Sequence, residues 1–139
     1  MTIPNPRQLA RSLFDRAIEA AEPAQAVRKS LLAAPLPAML GGRLILIALG
    51  KAACSMMEEA LKHVPQSVIP NAIAVTNYEN ARTLEGCDVI AAGHPVPDKN
   101  GQMAARRITE ALKDAGPNDF VLALISVGDR PFYHHPSLE

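Results

Sequence analysis

The chain has 139 residues, enough for one domain with a substantial core and too few for two ordinary ones. Its 14 Lys and Arg balance 14 Asp and Glu with no long run of either sign, so neither a nucleic-acid stripe nor a membrane-binding patch is expected. Cys54 and Cys87 lack metal spacing and a disulfide framework, and no apolar stretch follows the first charge, so a cytoplasmic protein without a signal peptide is expected.

The spacing of Leu9, Leu13, Ala17, Ile18 and Ala21 predicts a helix over residues 6–21 with one apolar face. Asn5 supplies a cap and Pro6 the first helical position. A second helix, 24–33, is expected to pack Val27, Leu31 and Leu32 before Pro35 and Pro37 stop it. After Gly41-Gly42, every residue of Leu44-Ile45-Leu46-Ile47-Ala48-Leu49 is apolar, as a parallel strand buried on both faces requires. Gly50 breaks that strand. Residues 51–63 read as a helix with Ala53, Met56, Met57, Ala60, Leu61 and Val64 inward. Short strands follow at 72–76 and 88–92, then a helix at 100–115 closed by Gly116-Pro117, then a buried strand at 120–125. Alternation of this kind predicts an α/β fold, a doubly wound, mostly parallel, Rossmann-like sheet that is incomplete at its C-terminus. The order of elements divides the chain into a domain at 1–126 and an unstructured tail at 127–139, whose Phe132, Tyr133, His134 and His135 follow neither periodicity.

In such a sheet, ligands bind beyond the carboxyl ends of the strands. Two candidate segments lie there. Gly50 permits a tight strand-to-helix turn and brings Lys51 to a helix N-terminus, where unpaired N–H groups favour an anion. The bland alternative is a solvated lysine near a helix start, and the segment is no P-loop, because the spaced glycines and the Ser/Thr after Lys are missing. In Gly93-His94-Pro95-Val96-Pro97-Asp98, two prolines stiffen the loop, orient His94 and deliver Asp98 to the next helix. There the plain reading is that Asp98 is a helix cap and His94 a local packing residue. Thr76-Asn77-Tyr78-Glu79 reads first as a polar turn that could line the same crevice. Met56 and Met57 read as core, and His134-His135 lacks a third ligand at sensible spacing, so no metal site is expected.

Together, Gly50-Lys51-Ala52-Ala53, Val75-Thr76, Gly93-His94-Pro95-Val96-Pro97-Asp98 and Leu122-Ala123-Leu124-Ile125-Ser126 resemble, in order and spacing, the N-terminal domain of the MOFRL-type glycerate 2-kinases, often labelled hydroxypyruvate reductases. The resemblance implies phosphorylation of D-glycerate to 2-phosphoglycerate with ATP and Mg²⁺. It makes Lys51 the catalytic or phosphate-contacting cation, and Gly50, His94, Asp98, Ser126 and Gly128 substrate- or phosphate-binding positions. A reductase would need a dinucleotide fingerprint, and no Gly-x-Gly-x-x-Gly occurs.

The family continues Ile-Ser with a glycine-rich turn of the type Gly-Gly-Gly-Ser-Ala-Leu-Leu. Here Ser126 is followed by Val127-Gly128-Asp129-Arg130-Pro131-Phe132-Tyr133. Asp-Arg-Pro-Phe-Tyr written GAT-CGG-CCC-TTC-TAT, moved back by one base onto the last G of the Gly128 codon, reads Gly-Ser-Ala-Leu-Leu. A single-base frameshift after Ser126 is therefore expected, leaving a fragment without kinase activity. Its exposed sheet edge favours self-association. The competing reading is a non-catalytic α/β module that captures a small phosphorylated or carboxylate ligand at the Gly50-Lys51 helix end.

Overall fold

The computed structural model of the chain describes residues 5–38 and 41–127. Gly128, and with it the tail from 128 onward, lies outside the described residues, as do residues 1–4 and Met39-Leu40. The elements are helix α1 (Pro6–Ala20), helix α2 (Pro23–Ala33), strand β1 (Leu44–Leu49), helix α3 (Ala53–Leu61), strand β2 (Asn71–Asn77), a 3-10 turn (Tyr78–Asn80), strand β3 (Asp88–Ala92), helix α4 (Lys99–Leu112) and strand β4 (Phe120–Ile125). All strands run parallel, in the order β3-β2-β1-β4.

The two sheet faces carry different helices, which makes the fold doubly wound. Leu44, Leu46 and Ala48 of β1 turn to a core shared with Val27 and Leu31 of α2 and with Ala53, Met56, Met57 and Ala60 of α3. Ile45 and Ile47 turn the other way, onto Ala104, Ile108 and Ala111 of α4. Because β1 is flanked on both edges and covered on both faces, an all-apolar sequence suits it. β1 and β4 are also pinned at their amino ends, where the Asp119 carboxylate accepts from the Arg43 backbone N–H at 2.7 Å and from its guanidinium at 2.7 and 3.0 Å.

Four expectations need correction. The apolar face of the first helix meets no core: α1 buries no residue, and Leu9, Leu13, Phe14 and Ile18 are all exposed. Leu32 does not pack with Val27 and Leu31 but is 68% exposed, because α2 turns only one narrow face to α3. The third helix begins at Ala53, so Lys51 stands in the turn before it rather than in its first turn. β4 is not buried on both faces. It is an edge strand, and since α4 covers the sheet only on the far side of β1, Val121 is 41% and Ile125 64% exposed.

One buried charge holds the helical layer together. Glu59 of α3 is 4% exposed, and its carboxylate accepts from Arg28 of α2 at 2.8 and 3.3 Å, from Lys62 at 3.1 Å and faces the His63 ring at 3.1 Å. The Arg28 hydrogen bonds, aided by His63 and Lys62, outweigh burial and bring the carboxyl down to about 2. A depressed carboxyl contributes stability that is complete above its unfolded value near 4.5 and is lost as pH falls toward 2. Glu59→Gln is therefore expected to lower stability at pH 7 by about 1–3 kcal/mol. Urea midpoints of the two proteins should converge between pH 4.5 and 2. An equal gap at both ends of that range would refute this assignment.

Candidate functional site

Strand order places the switch point of this sheet between β1 and β4. β1 is followed by α3 on one face, whereas α4 reaches β4 across the other, and crevices outside the carboxyl ends form at such a divergence. Gly50 leaves β1 there with φ +106°, and an added Cβ would lie 2.3 Å from the Ser126 carbonyl oxygen. Only glycine allows both this dihedral and this approach. Ser126 in turn donates its N–H to the Leu49 carbonyl at 2.8 Å, and its hydroxyl accepts the Ala52 N–H at 3.3 Å. The two strand ends are thus knitted together, with Lys51 exposed between them.

Thr76, buried at the end of β2, donates its hydroxyl to the Lys51 carbonyl at 3.4 Å. That contact ties the lysine turn to the neighbouring strand, and the sequence offered only a polar turn to suggest it. Among the described residues the exposed Lys51 ammonium enters no ion pair.

The second segment lies past β3. Asp98 caps α4 by accepting the Gly101 N–H at 2.9 Å, and the same carboxylate accepts from the Tyr78 hydroxyl. Asn100 donates to that hydroxyl at 3.0 Å. The Tyr78 bond, then the Gly101 and Gly93 amides, hold the Asp98 carboxyl below the usual carboxylate range, while Asp98 raises the Tyr78 phenol. Gly93 is crowded, an added Cβ lying 2.4 Å from the Val96 carbonyl oxygen, so this loop also needs its glycine. His94 is exposed and precedes a cis peptide bond to Pro95. Asp98 therefore serves as the cap that the plain reading gave it and also fixes Tyr78, a residue that sequence reasoning left in a polar turn. Among the described residues no three His, Cys, Asp or Glu side chains gather where they could hold a metal ion.

The two segments sit at the same end of one sheet, and their order along the chain can be set against known proteins. A family described as a domain of unknown function, DUF4147, matches residues 9–137. The chain belongs to this family. A D-glycerate 2-kinase from Thermotoga maritima is 33% identical over 131 residues, covering 94% of this chain and 30% of the relative. A glycerate 2-kinase from Pyrococcus horikoshii is 32% identical over 137 residues, again 94% of this chain and 30% of the relative. A protein from Agrobacterium vitis that carries a hydroxypyruvate reductase name is 36% identical over 122 residues, or 88% of this chain and 26% of its own length. The crystal structure of a glycerate kinase from Thermotoga maritima superposes with a TM-score of 0.73 at 32% identity, covering 84% of this chain and 27% of that one.

This DUF4147 chain therefore shares the α/β fold of glycerate kinase structures while spanning less than a third of the length of these relatives. Among the described residues no helix is long and apolar enough to cross a membrane.

Proposed function

We propose that this chain carries the β1–β4 crevice of a D-glycerate 2-kinase, which transfers the γ-phosphoryl group of ATP to the 2-hydroxyl of D-glycerate in the cytoplasm. The observation that supports it most is the exposed Lys51 ammonium at the switch point, set between backbone that only glycine can supply at Gly50. Both substrates are anions, and phosphoryl transfer depends mainly on positioning and charge stabilisation. The amides at the start of α3 and the Lys51 charge suit a phosphate or the glycerate carboxylate. In this reading Lys51 contacts the transferred group, Gly50 lets the anion approach the backbone, Ser126 orients the turn, and His94 with Asp98 frames the opposite wall. Gly128, a phosphate-binding position by the resemblance, lies outside the described residues. ATP fits this donor set. Mg²⁺, which the resemblance also implies, would be held mainly by the ATP phosphates and water with one or two carboxylates, and would neutralise the phosphate charge.

The chain holds one wall of that site. Phosphoryl transfer needs its groups fixed within a fraction of an ångström, and the relatives carry more than twice as much further polypeptide. The 139-residue chain is therefore expected to be inactive alone. An ATP and D-glycerate assay should show transfer only when the reading frame after Ser126 is restored so that the Gly-Ser-Ala-Leu-Leu turn continues into downstream sequence. Failure of the restored protein would sink the kinase reading. Transfer by the short chain would sink the argument from incompleteness. A short chain whose melting temperature rises with 2-phosphoglycerate, beside an inactive restored protein, would point instead to a non-catalytic ligand-binding module.

A further inference from the structure

Strand β2 ends between the two segments at the carboxyl end of the sheet. In register, Val75 lies beside Leu49 of β1 and Asn77 beside Ala92 of β3, so the chain leaving β2 at Tyr78 passes between Gly50-Lys51 and Gly93-His94. Its path is fixed on the β1 side. The Thr76 hydroxyl lies 3.4 Å from the Lys51 carbonyl oxygen and 3.3 Å from the Asn77 side-chain oxygen, which also accepts from the Asn80 amide at 2.6 Å. These contacts order the 3-10 turn (Tyr78–Asn80) that begins with Tyr78. On the β3 side, the Tyr78 hydroxyl donates to the Asp98 carboxylate and accepts from Asn100 at 3.0 Å. Asp98 is the hub of the facing loop. Its carboxylate takes the Gly101 N–H at 2.9 Å and the Gly93 amide, and a Cβ at Gly93 would lie 3.1 Å from its Cγ. The loop that carries His94 is therefore closed at both ends on one carboxylate. Among the described residues, Tyr78 is the one side chain that hydrogen-bonds to it.

With an anion bound at the Lys51 turn as proposed above, we infer that Tyr78 is a positioning residue of that site, its hydroxyl holding Asp98 so that the Gly93–Asp98 loop presents His94 to the same ligand. Neighbouring strands lie about 4.8 Å apart, so β1 and β3, on either side of β2, bring the two turns to within roughly 10 Å. The Lys51 and His94 side chains, with a three-carbon acid between them, can span that gap. A loop free to wander would have to be ordered when the ligand arrives, and that ordering costs affinity. The Tyr78 bond makes the order beforehand, and as a hydroxyl donating to a carboxylate it belongs to the stronger class of hydrogen bonds. Capping of α4 does not require it, because Asp98 already satisfies the Gly101 N–H. What Tyr78 adds is a lateral tie from the helix start to the end of β2, and through Thr76 to the lysine turn.

Titration of 2-phosphoglycerate into the ¹⁵N-labelled 139-residue chain, followed through its amide resonances, tests this role. In the wild type the Lys51 and His94 amides should shift along one binding curve. Tyr78→Phe keeps the ring and removes only the hydroxyl. It should raise Kd by about three- to tenfold, a part of what one charge-assisted bond contributes. The His94 shift at saturation should fall by about half or more while the Lys51 shift persists, and the urea midpoint should stay where it is. Asn100→Ala, which removes the group donating to the phenol, should act in the same direction and less strongly. The double variant Tyr78→Phe, Asp98→Asn should bind no worse than Asp98→Asn alone, because both changes break one contact. A Lys51 shift without a His94 shift in the wild type would overturn the role of the loop and leave the lysine site standing. Wild-type affinity in Tyr78→Phe, or a lower urea midpoint with unchanged affinity, would reduce Tyr78 to a scaffold residue. If neither amide moves in the wild type, the anion site at Lys51 fails and the positioning role falls with it. Should Tyr78→Phe unfold, Asn100→Ala decides, and unchanged binding there counts against Tyr78.

Discussion

Replacing Gly50 with alanine is expected to destabilise the chain by about 2–4 kcal/mol, a large part of the roughly 5–15 kcal/mol that holds a domain folded. Two effects add. A side chain at φ +106° is strained whatever space surrounds it. The new Cβ would also lie 2.3 Å from the Ser126 carbonyl oxygen, and that atom cannot move alone. The Ser126 N–H is bonded to Leu49 and its hydroxyl to Ala52, so relief of the clash has to part the ends of β1 and β4. Gly116→Ala is the control. No heavy atom would lie within 4 Å of its Cβ and its φ is not positive, so a change no larger than about 1 kcal/mol is expected. Urea unfolding followed by circular dichroism measures both. Equal midpoints for the two variants would show that the close approach of Gly50 and Ser126 contributes nothing.

Much of the layout was legible because parallel strands buried on both faces are written as unbroken apolar runs. Leu44 to Leu49 could be read directly as the central strand, and Asn5-Pro6 and Asp98 as helix starts, since those choices rest on local chemistry. The failures have a common cause. Apolar periodicity in α1 and β4 reports that a surface is suited to burial, not that this chain supplies what buries it. Leu9, Leu13, Val121 and Ile125 look like core residues in sequence and stand exposed in the fold. The candidate site shows the same limit in another form. Gly50, Lys51 and Asp98 were visible as turn and cap residues. The ties between Thr76 and Lys51, between Ser126 and Ala52, and between Tyr78 and Asp98 join residues 20 to 74 positions apart, and no local pattern encodes them. Glu59 was invisible for a related reason. In sequence it is one of two adjacent glutamates on a helix, and only the docking of α2 decides that Glu59 is enclosed while Glu58 stays at the surface.

In the frame-restored protein, Lys51→Ala is expected to lower kcat/KM for D-glycerate phosphorylation by about 10²–10³, the effect of removing one preorganised group that meets developing charge. If the ammonium acts on the transferred phosphoryl group, the loss falls on kcat. If it binds only the glycerate carboxylate, KM rises and kcat is kept. Lys51→Arg separates charge from shape. Its guanidinium keeps the charge but forms a planar fork on a different stem, so partial recovery is expected and full recovery is not. Stability gives the internal check. Lys51 is exposed and forms no ion pair among the described residues, so Lys51→Ala should change the unfolding free energy by no more than about 0.5 kcal/mol. A full rate loss with an unchanged melt would place Lys51 in the chemistry rather than in the scaffold. An alanine variant that keeps its rate within a factor of about two would remove the lysine from the mechanism. The crevice between β1 and β4 would then be a structural seam that happens to present a charge.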